Sequence, residues 1–189
     1  MTTFSVSLTH DRRAALWAAP GFVLALVLVS QLAMPIPGTP VPITLQPLVI
    51  VLAGLTLGPV VGAGAMIAYL ALGALGLPVF APIGAPGIAR FFGPTGGYLL
   101  AYPAAAYIAG ALSLRMPSLT GRWLAACAGI AMLFIGGVGQ LTILTGSIGR
   151  AIALGVTPFA ALDLLKALLA AALARPRTGE RPSAGSATD

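Results

Sequence analysis

The sequence predicts an all-α integral membrane protein: a bundle of six transmembrane helices with both termini cytoplasmic. Composition is the first ground. Of 189 residues, 58% are hydrophobic and only 7% charged, and mean hydropathy is +1.00. Apolar runs of the length this composition produces are membrane spans, not a water-soluble core. The second ground is how those runs are divided, by short links rich in glycine, proline or arginine. The third is charge placement. The net charge is +6, yet the arginines sit at the ends of apolar runs, so topology explains them better than a nucleic-acid partner does.

Residues 1–13 read as a polar N-terminal tail ending in Asp11, Arg12 and Arg13. The first span is predicted from Ala14 to Met34; its length suits a spanning helix, and no small-x-small cleavage site closes it as a secretory signal would. Ala14/Ala18, Ala15/Ala19 and Gly21/Ala25 are small-xxx-small pairs, which let another helix approach closely or simply face lipid. The stretch from Pro35 to Pro42 holds four prolines, which fix the backbone and forbid a helix. A second, short span follows over 43–57. Gly58-Pro59 is a tight turn, and a third span returns over 60–75. Residues 77–97 form the longest irregular stretch, punctuated by glycine and proline yet carrying a single charge, Arg90. Backbone of this kind at membrane depth is buried in protein or lines a cavity. The fourth span covers 98–114, and Arg115 and Arg122 flank a polar turn. The fifth covers 123–144, followed by a short helix over 148–154 and a sixth span from Pro158 to Ala174. Residues 175–189 read as a disordered cytoplasmic tail.

The sixth span organises the rest. Thr157 offers a cap hydroxyl and Pro158 suits the first helical position. Within this apolar helix stand Asp163 and Lys166, the chain's only lysine. Three residues apart, they share one face. A charge at the centre of a membrane helix costs roughly 2.5–3.5 kcal/mol, so such residues face a bundle interior and mark a site. The plainer reading is a self-neutralising pair that only packs.

With the N-terminus inside, the inner side carries Arg12, Arg13, Arg115, Arg122, Arg175, Arg177 and Arg181, and the outer side Arg90 and Arg150. Seven against two obeys the positive-inside rule. Trp17 and Trp123 then fall at the inner interface. Asp163 lies roughly 7.5 Å along its helix at ~1.5 Å per residue, in the outer half beneath the Pro loop and the 77–97 loop. That is the layout of an outward-facing pocket with lids.

Pro-Ile-Pro-Gly-Thr-Pro-Val-Pro-Ile-Thr-Leu-Gln (35–46), Gly-Leu-Pro-Val-Phe-Ala (76–81), Gly-Pro-Thr-Gly-Gly-Tyr-Leu-Leu (93–100) and Asp-Leu-Leu-Lys (163–166) occur in this order. Together they closely resemble the BioY family, the biotin-capturing S components of energy-coupling-factor (ECF) vitamin transporters. The resemblance covers about residues 14–174 and implies a six-helix fold with an outer-facing biotin pocket. One departure is Pro47, directly after the Ile-Thr-Leu-Gln run, which bears on where the second helix starts.

The resemblance supplies the ligand, and the ligand's chemistry suits the residues. Biotin has a carboxylate tail, a ureido ring with N–H donors and a carbonyl, and an apolar sulfur ring. Asp163 can accept from the ureido N–H groups. Lys166 or Arg90 can meet the carboxylate or the ureido carbonyl through charge-assisted bonds. Gln46, Thr95 and Tyr98 are candidate neutral partners, and Tyr69, Phe80, Phe91 and Phe92 candidate apolar wall. For each neutral or aromatic position, ordinary bundle packing is the plainer reading.

The sequence does not read as an enzyme. Lys166 is followed by Ala167, so it has no P-loop, and its one histidine, His10, lies in the tail, far from any metal or Ser/His constellation. The resemblance therefore implies separate partners: a transmembrane coupling protein and an ATPase pair, with Ala15, Ala19, Gly21 and Ala25 as the coupling-protein contact. The implied location is the plasma membrane of a prokaryote, among lipid and without nucleic acid. Biotin is cargo, and no cofactor is implied. An S component for another small vitamin, or a biotin transporter that works without an ATPase module, is the alternative.

Overall fold

The structure, a computed structural model, describes residues 4–174, with side chains for residue 13 and residues 15–174. The expected C-terminal tail with Arg175, Arg177 and Arg181 lies outside the described residues, as do the side chains of His10 and Arg12.

Among the described residues the regular elements are helices: α1 (Phe4–Ser30), α2 (Gln46–Leu57), α3 (Pro59–Ala74), a 3₁₀ turn (Gly87–Phe92), α4 (Gly96–Arg115), α5 (Leu119–Thr145), α6 (Ile148–Gly155) and α7 (Ala160–Leu173). A single antiparallel bridge, Met34 with Ile43, is the nearest thing to a strand. α4 and α5 are long and apolar enough to cross a membrane. α6 and α7, bent by 54° at their junction, make a third candidate span when counted as one. α2, α3 and the part of α1 from Ala15 are shorter apolar helices.

Several boundaries differ from expectation, each for a local reason. α1 starts at Phe4, inside the expected polar lead, and stops at Ser30 rather than running to Met34. Ser30 Oγ lies 2.7 Å from the Val27 carbonyl and 2.6 Å from the Val79 carbonyl and shares its one proton between them, tying the helix end to the chain beyond α3. Met34 precedes a proline and is biased toward extended backbone, which the bridge to Ile43 uses. That bridge keeps residue 43 out of α2, which begins at Gln46 with Pro47 in its first turn.

The expected start of the last helix is corrected. Thr157 does not cap it: its hydroxyl lies 3.3 Å from the Ile152 carbonyl, one turn back in α6. Pro158 sits in the turn, and α7 begins at Ala160 with no side-chain cap. The amides of Val156 and Thr157 both converge on the Ile152 carbonyl, at 2.9 and 3.1 Å. This ends α6 and allows the chain to change direction before α7.

The centre of the fold is the crossing of α4 with α5. Gly97 and Gly136 face one another there so closely that a Cβ on either would collide with the other's backbone carbonyl. Small residues continue the contact through Ala101, Ala105 and Ala109, all buried. Close backbone approach of this kind drives helix association where lipid removes the hydrophobic driving force. α2 packs against α4 on one side and α7 on the other, α3 closes against α4, and α7 rests on α5 and α2. Asp163 and Lys166 therefore face the interior, toward the mouths of α2, α4 and α5.

Candidate functional site

Lys166 Nζ donates to Asp163 Oδ1 at 2.7 Å, and the two side chains are 11% and 6% exposed. This places the pair one turn apart on the inward face of α7. Asp163 lies in the first turn of the helix, where the exposed amides favour an anion. The pair is not chemically saturated by its own contact. A carboxylate has lone pairs on both oxygens, and an ammonium has three N–H donors.

A cavity of about 70 Å³ opens beside it. Five of the predicted residues line it: Gln46 from α2, Thr95 and Tyr98 from the start of α4, and Asp163 and Lys166. The sequence reading omits the rest of the wall, notably Pro42, Tyr102, Leu133, Phe134 and Phe159. Two of these had a readable signal. Phe159 is one turn before Asp163, and Tyr102 one turn after Tyr98, so each shares a face with a predicted site residue. Leu133 and Phe134 have none, since nothing distinguishes them from other apolar residues of α5.

Tyr98 lines the cavity, but its hydroxyl donates to the Gly155 carbonyl at 2.6 Å. Its ring lies against Gly137 of α5, where a Cβ would overlap it. Tyr98 therefore braces α4 against α5 and the end of α6, and its proton is committed within the chain.

Five predicted residues stand outside this cavity. Tyr69 is fully buried behind it. Its hydroxyl accepts from Gln46 Nε2 at 3.1 Å and donates to the Val79 carbonyl at 3.0 Å, so it orients Gln46 and does not form wall. Its ring stacks on Tyr102 with centroids 6.2 Å apart. Phe80 and Arg90 line a second cavity of about 30 Å³, which shares Pro42, Gln46 and Thr95 with the first. Arg90 also lines a third, of about 150 Å³, beneath the Pro loop and the 77–97 loop. Pro42 and Thr95 border all three spaces. Of the remaining aromatics, Phe91 packs edge-on against Phe80 at 5.8 Å, while Phe92 is 74% exposed and forms no wall.

Arg90 is buried, and its guanidinium donates to the carbonyls of Ala81 and Ile83, folding the loop over it. Its Nε is buried with no hydrogen-bond partner among the described residues. A buried cation with a spare donor, on a residue that borders two cavities, is suited to an anionic ligand group.

The small-residue stripe of α1 is not one face. Ala15 is buried in the chain's own core, Ala25 is half-buried against it, and Gly21 is exposed. Ala19 lines a shallow apolar groove between α1 and α3 with Pro20, Val23, Val60, Gly64 and Ala68. Among the described residues no cluster of His, Cys, Asp or Glu is placed to hold a metal.

Known proteins share this architecture. The crystal structure of the S-component for biotin from an ECF-type ABC transporter superposes with a TM-score of 0.80, at 26% identity over 93% of each chain. The probable biotin transporter BioY of Pyrococcus horikoshii is 41% identical over 140 residues, 74% of this chain and 82% of the relative. The biotin transporter BioY of Thermotoga maritima is 36% identical over 154 residues, 82% of this chain and 90% of the relative. The profile of the BioY family matches residues 4–181, a span that includes every helix described above, and the chain belongs to that family.

Proposed function

We propose that this chain captures biotin from the outer side of the membrane and serves its uptake as the substrate-specific component of an ECF-type transporter. The observation that carries the reading is the buried Asp163–Lys166 pair on a cavity wall, in a member of a family whose named relatives are biotin transporters. A ureido ring presents N–H donors beside a carbonyl. Asp163 accepts from the former and Lys166 donates to the latter, so the two charges match both halves of one group. Gln46 and Thr95 stand beside the pair, and Leu133, Phe134 and Phe159 give the sulfur ring an apolar surround.

A ligand of vitamin size needs a site of roughly 300–1,000 Å³, more than the first cavity alone supplies. Pro42 and Thr95 separate it from the two neighbouring spaces, both bordered by Arg90. In this reading biotin joins the three spaces, and its carboxylate reaches the spare donor of Arg90.

The remaining expectations belong to the same proposal. The chain crosses the membrane six times with both termini cytoplasmic, in the plasma membrane of a prokaryote. A transmembrane coupling protein and an ATPase pair drive the uptake, and Ala19 in the α1–α3 groove and the exposed Gly21 are the parts of the predicted stripe open to such a partner. The test is calorimetry of purified protein with biotin, repeated in competition with other water-soluble vitamins. Tight binding of biotin that the other vitamins do not displace supports the proposal. No biotin binding by folded protein refutes it.

A further inference from the structure

The backbone of the helix bearing Asp163 and Lys166 takes side-chain hydrogen bonds from α5. Among the described residues α7 packs on α2 and α5, and successive residues of α5 bond its backbone. Arg122 Nε donates to the Ala171 carbonyl at 3.1 Å, and its Nη1 donates to the Pro117 carbonyl at 2.6 Å. Trp123 Nε1 lies 3.4 Å from the Leu164 carbonyl, as a donor.

The chemistry of the Arg122 contact is specific. Ala171 is in the last turn of α7, where carbonyls lack an amide partner within the helix. A cation at a helix C-terminus is also favoured by the macrodipole. Arg122 is only 9% exposed, and the one acid among the described side chains, Asp163, is held by Lys166. The carbonyl end of α7 is thus what faces this buried guanidinium. Its mount is firm as well. Ser118 Oγ caps α5 by accepting from the Gly121 amide at 3.0 Å.

Leu164 and Ala171 lie two turns apart, roughly 10.5 Å along the axis, and Lys166 falls between them. A helix fixed at two such points neither slides nor rotates. A slip of one residue would move the Asp163 carboxylate about 1.5 Å along the axis and turn it by about 100°, away from the cavity.

We propose that Arg122 and Trp123 are positioning residues: a clasp on α5 that sets the height and rotation of α7 and so aims Asp163 at the ligand. Neither residue lines the cavity, so neither is a ligand contact. The inference rests on the biotin reading above and deepens it.

The experiment separates the two. Calorimetry of the parent with biotin decides the biotin reading by itself, and a parent that binds none overturns both. Arg122→Gln and Trp123→Phe are then made in the parent and in an Asp163→Asn background. A clasp acting through Asp163 weakens biotin binding in the parent background by about threefold to tenfold, chiefly through faster release. In the Asp163→Asn background the same changes alter affinity by less than about twofold. Equal losses in both backgrounds, accompanied by a lower thermal midpoint, mean a purely structural role and overturn the clasp. A second variant covers the case in which Arg122→Gln fails to fold. Trp123→Phe keeps the ring's bulk and removes only the N–H that faces the Leu164 carbonyl. A folded Trp123→Phe protein that binds biotin as tightly and releases it as slowly as the parent overturns the clasp and leaves the biotin reading standing.

Discussion

Exchanging Lys166 for methionine keeps most of the apolar stem and removes the charge. The ion pair it breaks is short, 2.7 Å, and both side chains are nearly withdrawn from solvent, at 11% and 6% exposure. Removing one partner of a buried pair leaves the other without a counter-charge, which costs about 3–5 kcal/mol of stability. For binding, each charged hydrogen bond to the ligand contributes about 1.5–3 kcal/mol. Loss of the Lys166 bond alone should therefore weaken biotin by about tenfold to 150-fold. Asp163→Asn should act in the same range. Because each residue orients the other, the double variant should lose less than the product of the single losses, by about 0.5–3 kcal/mol of coupling. The assay is a double-mutant cycle on biotin affinity, with size-exclusion chromatography as the check on folding. A folded Lys166→Met protein that binds biotin as tightly as the parent would refute the reasoning. The pair would then be structural, and the site would lie on the Arg90 side of Pro42 and Thr95.

Three further outcomes are expected. Tyr98→Phe removes the hydroxyl that braces α4 against the Gly155 carbonyl, and should cost about 0.5–1.5 kcal/mol of stability, read as a lower thermal midpoint by circular dichroism, while calorimetric biotin affinity falls by less than about threefold. Ala19→Leu fills the α1–α3 groove and should reduce co-purification with the coupling protein while biotin affinity stays within about twofold of the parent, whereas Ala15→Leu, overpacking a buried position, should cost about 1–3 kcal/mol of stability. A reporter fused after Asp189 should be cytoplasmic and one inserted near Gly38 external; an external C-terminal reporter would exclude six spans.

Much of the helical order was readable because its punctuation is strong. Gly58 at φ +83 followed by Pro59 gives a turn that few other residue pairs provide, and α2 and α3 meet there. The short helix before the last span was also legible, since Ser147 caps it and Gly146 ends α5. The junction after it was not. Thr157 and Pro158 carry the residues of a helix start, but the Thr157 hydroxyl turns back to Ile152, and only the three-dimensional path distinguishes the two uses. Asp163 and Lys166 stood out because charge is rare in an apolar helix. Arg90 stood out for the same reason, yet its neighbours did not, because the carbonyls of Ala81 and Ile83 reach it only when the loop folds back. The apolar wall is the least legible part. Leu133 and Phe134 differ from dozens of similar residues only in what they face.

The two buried cations of the inward-facing helices also differ in when they become tolerable during synthesis. Lys166 finds its counter-charge one turn away on the same segment, so α7 can enter the bilayer already neutral, before any other helix has docked. Arg122 has no local counter-charge, only the Pro117 carbonyl five residues back. It stands in the first turn of α5, near enough to the interface for its side chain to reach headgroups while the helix inserts. The carbonyl end of α7 is made some fifty residues later, and only then can the guanidinium leave the lipid surface for the bundle. Burial of Arg122 is therefore a marker of finished assembly. A chain halted before Ala171 would leave that arginine at the membrane surface, open to reagents that the completed protein excludes.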